Sequence, residues 1–543
     1  MTEPPQQPTW GAKKPPPSGD HEPPPKPKRY WWRFTLASVV IVLATASATA
    51  ISILLYIGSI ATALSHHNVY RDKLNRYLSR VHGGEPENIL IIGSDKRASV
   101  KGDPGRSDTT ILLRLDPDRN AIAVMSIPRD LKVDIPGYGT DKFNAAYTFG
   151  GPKLTLRVVN QLTSLRINHV VNVDFLGFAR AVNAIGCVYA DVDRRYYHSN
   201  VGLSASEQYS EINVQPGYQL LCGKNALAYV RYRHTDTDLV RSARQQDFLS
   251  AARERVPISK LAFGGNDLVD IFTRYTTSDI GDAETMLQVL KLFIASRNAA
   301  IHEVHFPATL GPSYVYASKG AIHGAVNKFL GIEASPGPRG SLSEGRNKGG
   351  GNGRKAHAKA KAHKGRAKRH LAKPKPPGSD GLVSAAEAGR LEAKTVARKV
   401  DRGFAVFYPT RLPSGAIYQP SSTYYHVQDP RIYHVKGTDG TSHAAYRMVA
   451  EYGATYETAY FGIQGIQGWS NPPILDGPSI HKTIHGRDYE VFIDGDRVKM
   501  VAWHRGDNTY WVSNDLLNTL TNDQMVGIAR SVKMLVPKGH GKR

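Results

Sequence analysis

NILIIGSDKRASVKGDPGRSDTTILLRLDPDRNAIAVMSIPRD, residues 88–130, decides the fold. Three short runs within it, NILIIG, TTILLRL and AIAVMSI, are apolar almost throughout and are separated by polar turns. Runs of that kind mark strands covered on both faces. Downstream, GPKLTLRVVNQLTSL reads as a helix, NHVVNV as a strand, FLGFARAVNAI as a helix and VYADV as a strand. Strand, helix, strand in that order implies a layered α/β domain, a mixed central sheet flanked by helices. Ligands in such domains sit at the loops leaving the strands.

Those loops are charged in a repeated way. GSDKR puts Asp95 and Arg97 after the first strand, GRSDTT offers Arg106 and Asp108 at the second, and SIPRD holds Arg129 and Asp130 behind Pro128. Two aspartates on neighbouring loops supply the oxygen-only ligands that suit magnesium holding a phosphate. Taken singly, each is as well explained as a turn former or a helix cap.

A second dense stretch is RYRHTDTDLVRSARQQ, residues 231–246. The run ALAYV before it reads as a strand, which would put Arg231 and Arg233 on one face near its end. Arg241 and Arg244, three apart, share a face of a helix that runs up to Pro257. Two pairs of planar guanidinium forks at such a turn suit a diphosphate. A solvated charged helix with local Asp–Arg pairs is the other reading, and this stretch alone does not choose between them. The chain carries no P-loop, zincin or nucleophile-elbow signature.

The 543 residues allow two or three domains, and the net charge of +23 points to a polyanionic partner or an anionic surface. Its placement is uneven: residues 345–379 hold twelve Lys or Arg and no acid. Residues 34–64 hold no Asp, Glu, Lys or Arg, which exceeds the roughly 20 apolar residues that span a bilayer. Lys26, Lys28, Arg29 and Arg33 precede the span, with Trp31 and Trp32 at its edge. The expectation is a retained single transmembrane helix with a cytoplasmic N-terminus, residues 66–543 outside, and a plasma-membrane location. Cys187 and Cys222, an even pair in an oxidising compartment, are expected to form a disulfide.

The motifs NILIIGSDKR, RSDTTILLRLDP, MSIPRDLKVDIPG, KFNAAYTFGG and ALAYVRYRHTDTDLVRSARQQ, in this order from about residue 86 to 332, resemble the LytR-CpsA-Psr (LCP) proteins of the bacterial envelope. The resemblance implies a membrane-anchored, magnesium-dependent phosphotransferase. It would move a glycopolymer from a polyprenyl-pyrophosphate carrier to a muramic acid hydroxyl of peptidoglycan. By the same resemblance Asp95 and Asp108 would hold magnesium, and Arg129, Arg231, Arg233, Arg241 and Arg244 would surround the pyrophosphate. Arg97 and Gln245 are further candidate contacts, and Asp238 is the candidate base or, alternatively, an N-cap that orients Arg241. Arginines and magnesium are the equipment that phosphoryl transfer needs, so the missing nucleophile triad is no obstacle. The chain departs from the family at Cys187 and Cys222, where members often carry Gly and an acidic residue. Both departures being cysteine strengthens the disulfide, which would clamp the strand feeding Arg231. The alternatives are a pyrophosphatase acting on the lipid and a non-catalytic wall-binding or regulatory protein.

The remaining organisation is a Pro-rich tail (1–33), a juxtamembrane helical spacer (66–85), the 86–332 domain, a basic disordered linker (333–383) and an α+β domain (384–543). Nucleic acid is an unlikely partner for a body outside the membrane. In the last domain SAAEAGRLEAKTVARKV and NDQMVGIARSVKML read as its first and last helices. Tyr424, Tyr425, Tyr456, Tyr460, Trp469, Trp503, Tyr510 and Trp511 offer stacking platforms for sugar rings, but most read more simply as core and cross-strand residues.

Overall fold

The computed structural model describes residues 74–95, 105–204, 211–232, 235–255, 275–280, 283–296, 299–333, 337–339, 380–418, 431–453, 458–484 and 486–537. The apolar span 34–64 and most of the basic linker lie outside the described residues. Among the described residues no helix is long and apolar enough to cross a membrane.

In chain order the core comprises β1 (Glu87–Ser94), β2 (Ser107–Asp116), β3 (Ala121–Ser126), β4 (Lys132–Ile135), β5 (Gly139–Lys142), α1 (Ala145–Thr163), β6 (His169–Asp174), α2 (Phe175–Ala184), β7 (Val188–Val192), β8 (Tyr196–His198), β9 (Ile212–Val214) and β10 (Gly217–Leu221). It continues with α3 (Gly223–Arg231), α4 (Asp238–Arg255), β11 (Thr276–Ser278), α5 (Ala283–Ala295), β12 (Ala300–Glu303) and α6 (Lys319–Gly331). The central sheet has the order β11-β6-β1-β2-β3-β12. It is mixed: β1, β2 and β3 pair antiparallel, while β6 joins β1 and β12 joins β3 in parallel.

Apolar runs form this sheet because both of its faces are covered. On β1, Leu90 and Ile92 point to one face and join α1 and α6 through Leu156, Val159 and Phe329. Ile89, one residue out of phase, points to the other face and packs with Ile111, Ile122, Val124 and Leu292 of α5. Each fully buried aliphatic side chain contributes about 2 kcal/mol, so the alternation also fixes the register. The helix read from Gly151 onward is present with a kink before it: Gly150 and Gly151 leave helical geometry and Pro152 starts the regular turns.

Four elements differ from the sequence reading. ALAYV is not a strand but the body of α3, because Ala226, Tyr229 and Val230, at helical spacing, bury against β7 and α4 residues. VYADV is a strand, but among the described residues it pairs with β10 in a separate two-stranded sheet and not with the central one. The spacer expected to be helical shows, in its described part, a single 3-10 turn, Asn75–Tyr77, after which the backbone is extended at Leu78. The closing helix stops at Arg530, and Val532–Leu535 is a strand paired with Val406–Pro409.

Cys187 and Cys222 are disulfide-bonded. Cys222 is the N-cap of α3, so the bond clamps the start of a helix, not a strand. Cys187 sits at φ +66°, a left-handed conformation in which glycine would be unstrained.

The C-terminal region is mostly sheet. Its long strands run in the order Ser442–Tyr452, Ala459–Ile466, Asn508–Ser513, Arg497–Arg505, Arg487–Asp494, Ile480–Ile484, with helices Ala386–Ala397 and Asn522–Arg530 packed on it. Trp503, Tyr510 and Trp511 are fully buried, which assigns them to packing and withdraws them as sugar platforms. Tyr424, Tyr425 and Tyr456 lie outside the described residues.

This sheet shares a core with β7 and β10. Tyr189 and Tyr218 pack with Tyr433, Trp469 and Trp511 in one cluster. The buried Arg447 donates to Asp191 at 2.8 Å, and Trp511 Nε1 donates to the same carboxylate at 3.2 Å. Gly217 is required at the seam: a Cβ there would lie 2.5 Å from the Tyr433 hydroxyl.

Candidate active site

The site forms where β1 ends, β2 begins, β3 ends and α3 gives way to α4. Asp95 follows β1 and Asp108 is the second residue of β2; their loop is closed by the Asp95 N–H donating to the Arg106 carbonyl at 3.0 Å. The Asp95 carboxylate accepts from the Arg106 N–H in return. Arg129 leaves β3 behind Pro128, and its backbone is fixed from two sides. The Arg129 carbonyl accepts from the Asn144 N–H at 3.0 Å, and its N–H donates to Asp238 Oδ2 at 3.2 Å.

Asp108 is the hub. Arg129 Nη1 donates to its Oδ1 at 2.5 Å and Arg231 Nη2 to its Oδ2 at 3.4 Å. Arg231, the last residue of α3, lies with its guanidinium carbon 3.7 Å from the centroid of the Phe175 ring at the start of α2. Burial draws its pKa below the ordinary arginine value against the pull of Asp108. Arg241 pairs with Asp238 one turn away, and burial lowers its pKa as well. The arrangement therefore holds three partly desolvated guanidinium groups beside three carboxylates, Asp108, Asp130 and Asp238. Among the described residues their Nε atoms have no hydrogen-bond partner, a state shared with structural arginines such as Arg447, so the convergence carries the argument.

Not every candidate arrives there. Arg244 shares a helix with Arg241 but turns away from it. It is fully buried, donates to the Tyr229 and Tyr232 carbonyls at 3.2 and 2.8 Å, pairs with Asp236, and lies 4.5 Å from the Tyr196 ring centroid. A guanidinium so enclosed is a structural post. Gln245 donates to Thr109 Oγ1 at 2.8 Å and to the Val230 carbonyl at 3.1 Å, tying α4 to β2 and α3. Thr237, not Asp238, caps α4, since the Val240 N–H donates to Thr237 Oγ1 at 3.4 Å; Asp238 is spent on Arg129 and Arg241. Arg97 and Arg233 lie outside the described residues.

Sequence reasoning did not single out Phe175, whose ring lies against Arg231, or Arg194, which shares the carboxylate of Asp236 with Arg244. The available signal was DRRYY at 193–197, two arginines followed by two tyrosines just after a strand.

Among the described residues no group of three His, Cys, Asp or Glu side chains forms a metal cluster. Asp95 and Asp108 fit a cation only in the way magnesium is commonly held, by one or two carboxylates supplemented by phosphate oxygens and water.

Compared with known families, residues 53–328 match the model of the LytR_cpsA_psr family, half of the chain. The chain belongs to this family. LytR-CpsA-Psr relatives include the polyisoprenyl-teichoic acid--peptidoglycan teichoic acid transferase TagU of Oceanobacillus iheyensis, 34% identical over 220 residues, which are 39% of this chain and 64% of that protein. A second is the probable cell wall biosynthesis protein LcpB of Corynebacterium glutamicum, 30% identical over 255 residues, 42% of this chain and 58% of that one. The chain thus spans under two thirds of the length of these relatives. Among solved structures, the LytR-CPS2A-psr family protein YwtF (TagT) with bound octaprenyl pyrophosphate lipid is 23% identical, with 47% of this chain and 92% of that one covered and a TM-score of 0.35.

Proposed function

We propose that this chain is a membrane-anchored phosphotransferase that moves a glycopolymer from a polyprenyl-pyrophosphate carrier to a muramic acid hydroxyl of peptidoglycan. The observation that carries the reading is the joining of Arg129 and Arg231 on Asp108, with Asp238 and Arg241 fixed alongside by the Arg129 backbone. Family membership and the names of its relatives support the same chemistry.

In the proposed reaction the acceptor hydroxyl oxygen attacks the phosphorus bonded to the glycan. The bond from that phosphorus to the bridging oxygen breaks, polyprenyl phosphate leaves, and a phosphodiester remains. Arg129, Arg231 and Arg241 neutralise the non-bridging and leaving oxygens, which is where charge builds in phosphoryl transfer. Arg233 is assigned the same role by its motif. Asp238, held by two donors, would take the hydroxyl proton. Asp95 and Asp108 would hold magnesium, which would supply positive charge at the diphosphate. The apolar residues 34–64 would anchor the protein in the plasma membrane with the N-terminus cytoplasmic and the catalytic domain outside.

The test is transfer from a polyprenyl-pyrophosphoryl oligosaccharide to peptidoglycan by the full chain in detergent with magnesium. Turnover that Arg129→Ala and Arg231→Ala each abolish supports the reading. An inactive wild-type chain, or variants as active as wild type, overturns it, and release of free phosphorylated sugar without an acceptor would identify a hydrolase instead.

A further inference from the structure

The loop between α3 and α4 carries Arg231 at one end and Asp238 at the other, and it is held by a stack that reaches into the C-terminal sheet. Arg194, in the turn after β7, is buried at 8% exposure. Its Nη2 donates to Thr235 Oγ1 at 2.7 Å and pairs with Asp236 Oδ1. The second oxygen of Asp236 takes Arg244, whose other amino group holds the carbonyls of Tyr229 and Tyr232. Both halves of the loop are thus tied to one carboxylate placed between two guanidinium groups.

Arg194 has aromatic faces around it. Its guanidinium carbon lies 4.6 Å from the Tyr196 ring centroid and 5.6 Å from that of Tyr232, both in the core. The third ring, at 4.9 Å, is Tyr460, on strand Ala459–Ile466 of the C-terminal sheet. The same sheet is docked three residues upstream of Arg194, where Asp191 receives Arg447 and Trp511. A desolvated cation needs the quadrupole of these rings in place of lost water.

We propose that the C-terminal sheet is a positioning element for the arginine loop, acting through Tyr460 and Arg194 on Asp236. Tyr460 completes the cage that holds Arg194, and Arg194 sets the place of the loop between Arg231 and Asp238. Both are positioning residues, since neither touches the Asp108 hub. These contacts hold the described part of the loop whatever the reaction; the consequence for turnover rests on the transferase reading above.

Full-chain Tyr460→Leu keeps bulk and removes the quadrupole, Tyr460→Phe keeps the ring, and Arg194→Lys keeps charge without the planar fork. Amide hydrogen exchange over 231–238 is measured without substrate, beside kcat and KM for transfer. In Tyr460→Leu and Arg194→Lys, exchange in that loop should rise about tenfold or more with the central sheet unchanged, and kcat should fall about 10- to 100-fold, as for a misplaced catalytic group. Tyr460→Phe should match wild type in both. Loop exchange in Tyr460→Leu equal to wild type overturns the proposal, as does Tyr460→Phe behaving like Tyr460→Leu. Raised loop exchange in a wild-type-rescued series whose parent shows no transfer would leave the positioning standing and remove the transferase reading. A Tyr460→Leu chain that unfolds throughout would also count against a local role if Arg194→Lys did the same.

Discussion

The Arg129 backbone N–H donates to Asp238 Oδ2 at 3.2 Å, across 109 residues of sequence, so the end of β3 and the start of α4 are one structural unit. Asp238 therefore has both a structural and a chemical assignment. Asparagine keeps one of the two acceptor oxygens, removes the base and leaves the buried Arg241 without its counter-charge. We expect Asp238→Asn to lose about 100-fold or more in transfer and part of the thermal stability, and Asp238→Ala to lose more of both. Transfer by Asp238→Asn at the wild-type rate would leave only the structural assignment.

Asp108 pairs with Arg129 and Arg231, the groups proposed to take the diphosphate. Replacing it with asparagine should strengthen binding of inorganic pyrophosphate in the absence of magnesium and remove the effect of added magnesium on that binding. Titration calorimetry with and without EDTA checks both signs. Weaker pyrophosphate binding in the metal-free variant would contradict the pairing described.

His169 at the opposite end of the sheet holds two carboxylates, Asp279 at 2.8 Å and Glu87 at 3.4 Å. Burial lowers its pKa, but the bonds and charges of Asp279 and Glu87 outweigh that and raise it to about 9. A raised value means that the stabilisation is complete below the unfolded pKa near 6.5 and is lost as pH rises through about 9. The contribution is about 3 kcal/mol. Urea unfolding between pH 6 and 10 should show that decline in the wild type and a flatter profile in His169→Gln.

Arg339 places one amino group 2.8 Å from Asp247 on α4, 2.7 Å from Glu303 on β12 and 2.8 Å from Asp494 in the C-terminal sheet. Removing a buried cation leaves carboxylates uncompensated, so Arg339→Ala should destabilise by about 3–5 kcal/mol. Lysine should recover part of that. Calorimetry that gives the same melting temperature for Arg339→Ala and wild type would show that the cluster is solvated.

The central sheet was legible because its signal is local. NILIIG, TTILLRL and AIAVMSI are apolar through strand length, and Asp95, Asp108 and Arg129 stand at their ends whatever the rest of the chain does. ALAYV misled because a five-residue apolar run fits either period, and only its burial against β7 and α4 residues selected the helix. Arg241 and Arg244 looked equivalent for a similar reason: spacing gives a shared helix face but not what each side chain meets.

The sequence by itself determined the three covered strands, the charged loops that leave them, the family and the pair of cysteines. Tertiary structure alone decided which arginines serve the site and which hold the fold. Arg244 meets the tyrosine cage, Arg194 meets Tyr460 from 266 residues away, and Arg339 gathers three carboxylates from three elements. The physical reason is that a charge is defined by its partners once water is excluded, and these partners are brought together only by the packing of distant segments.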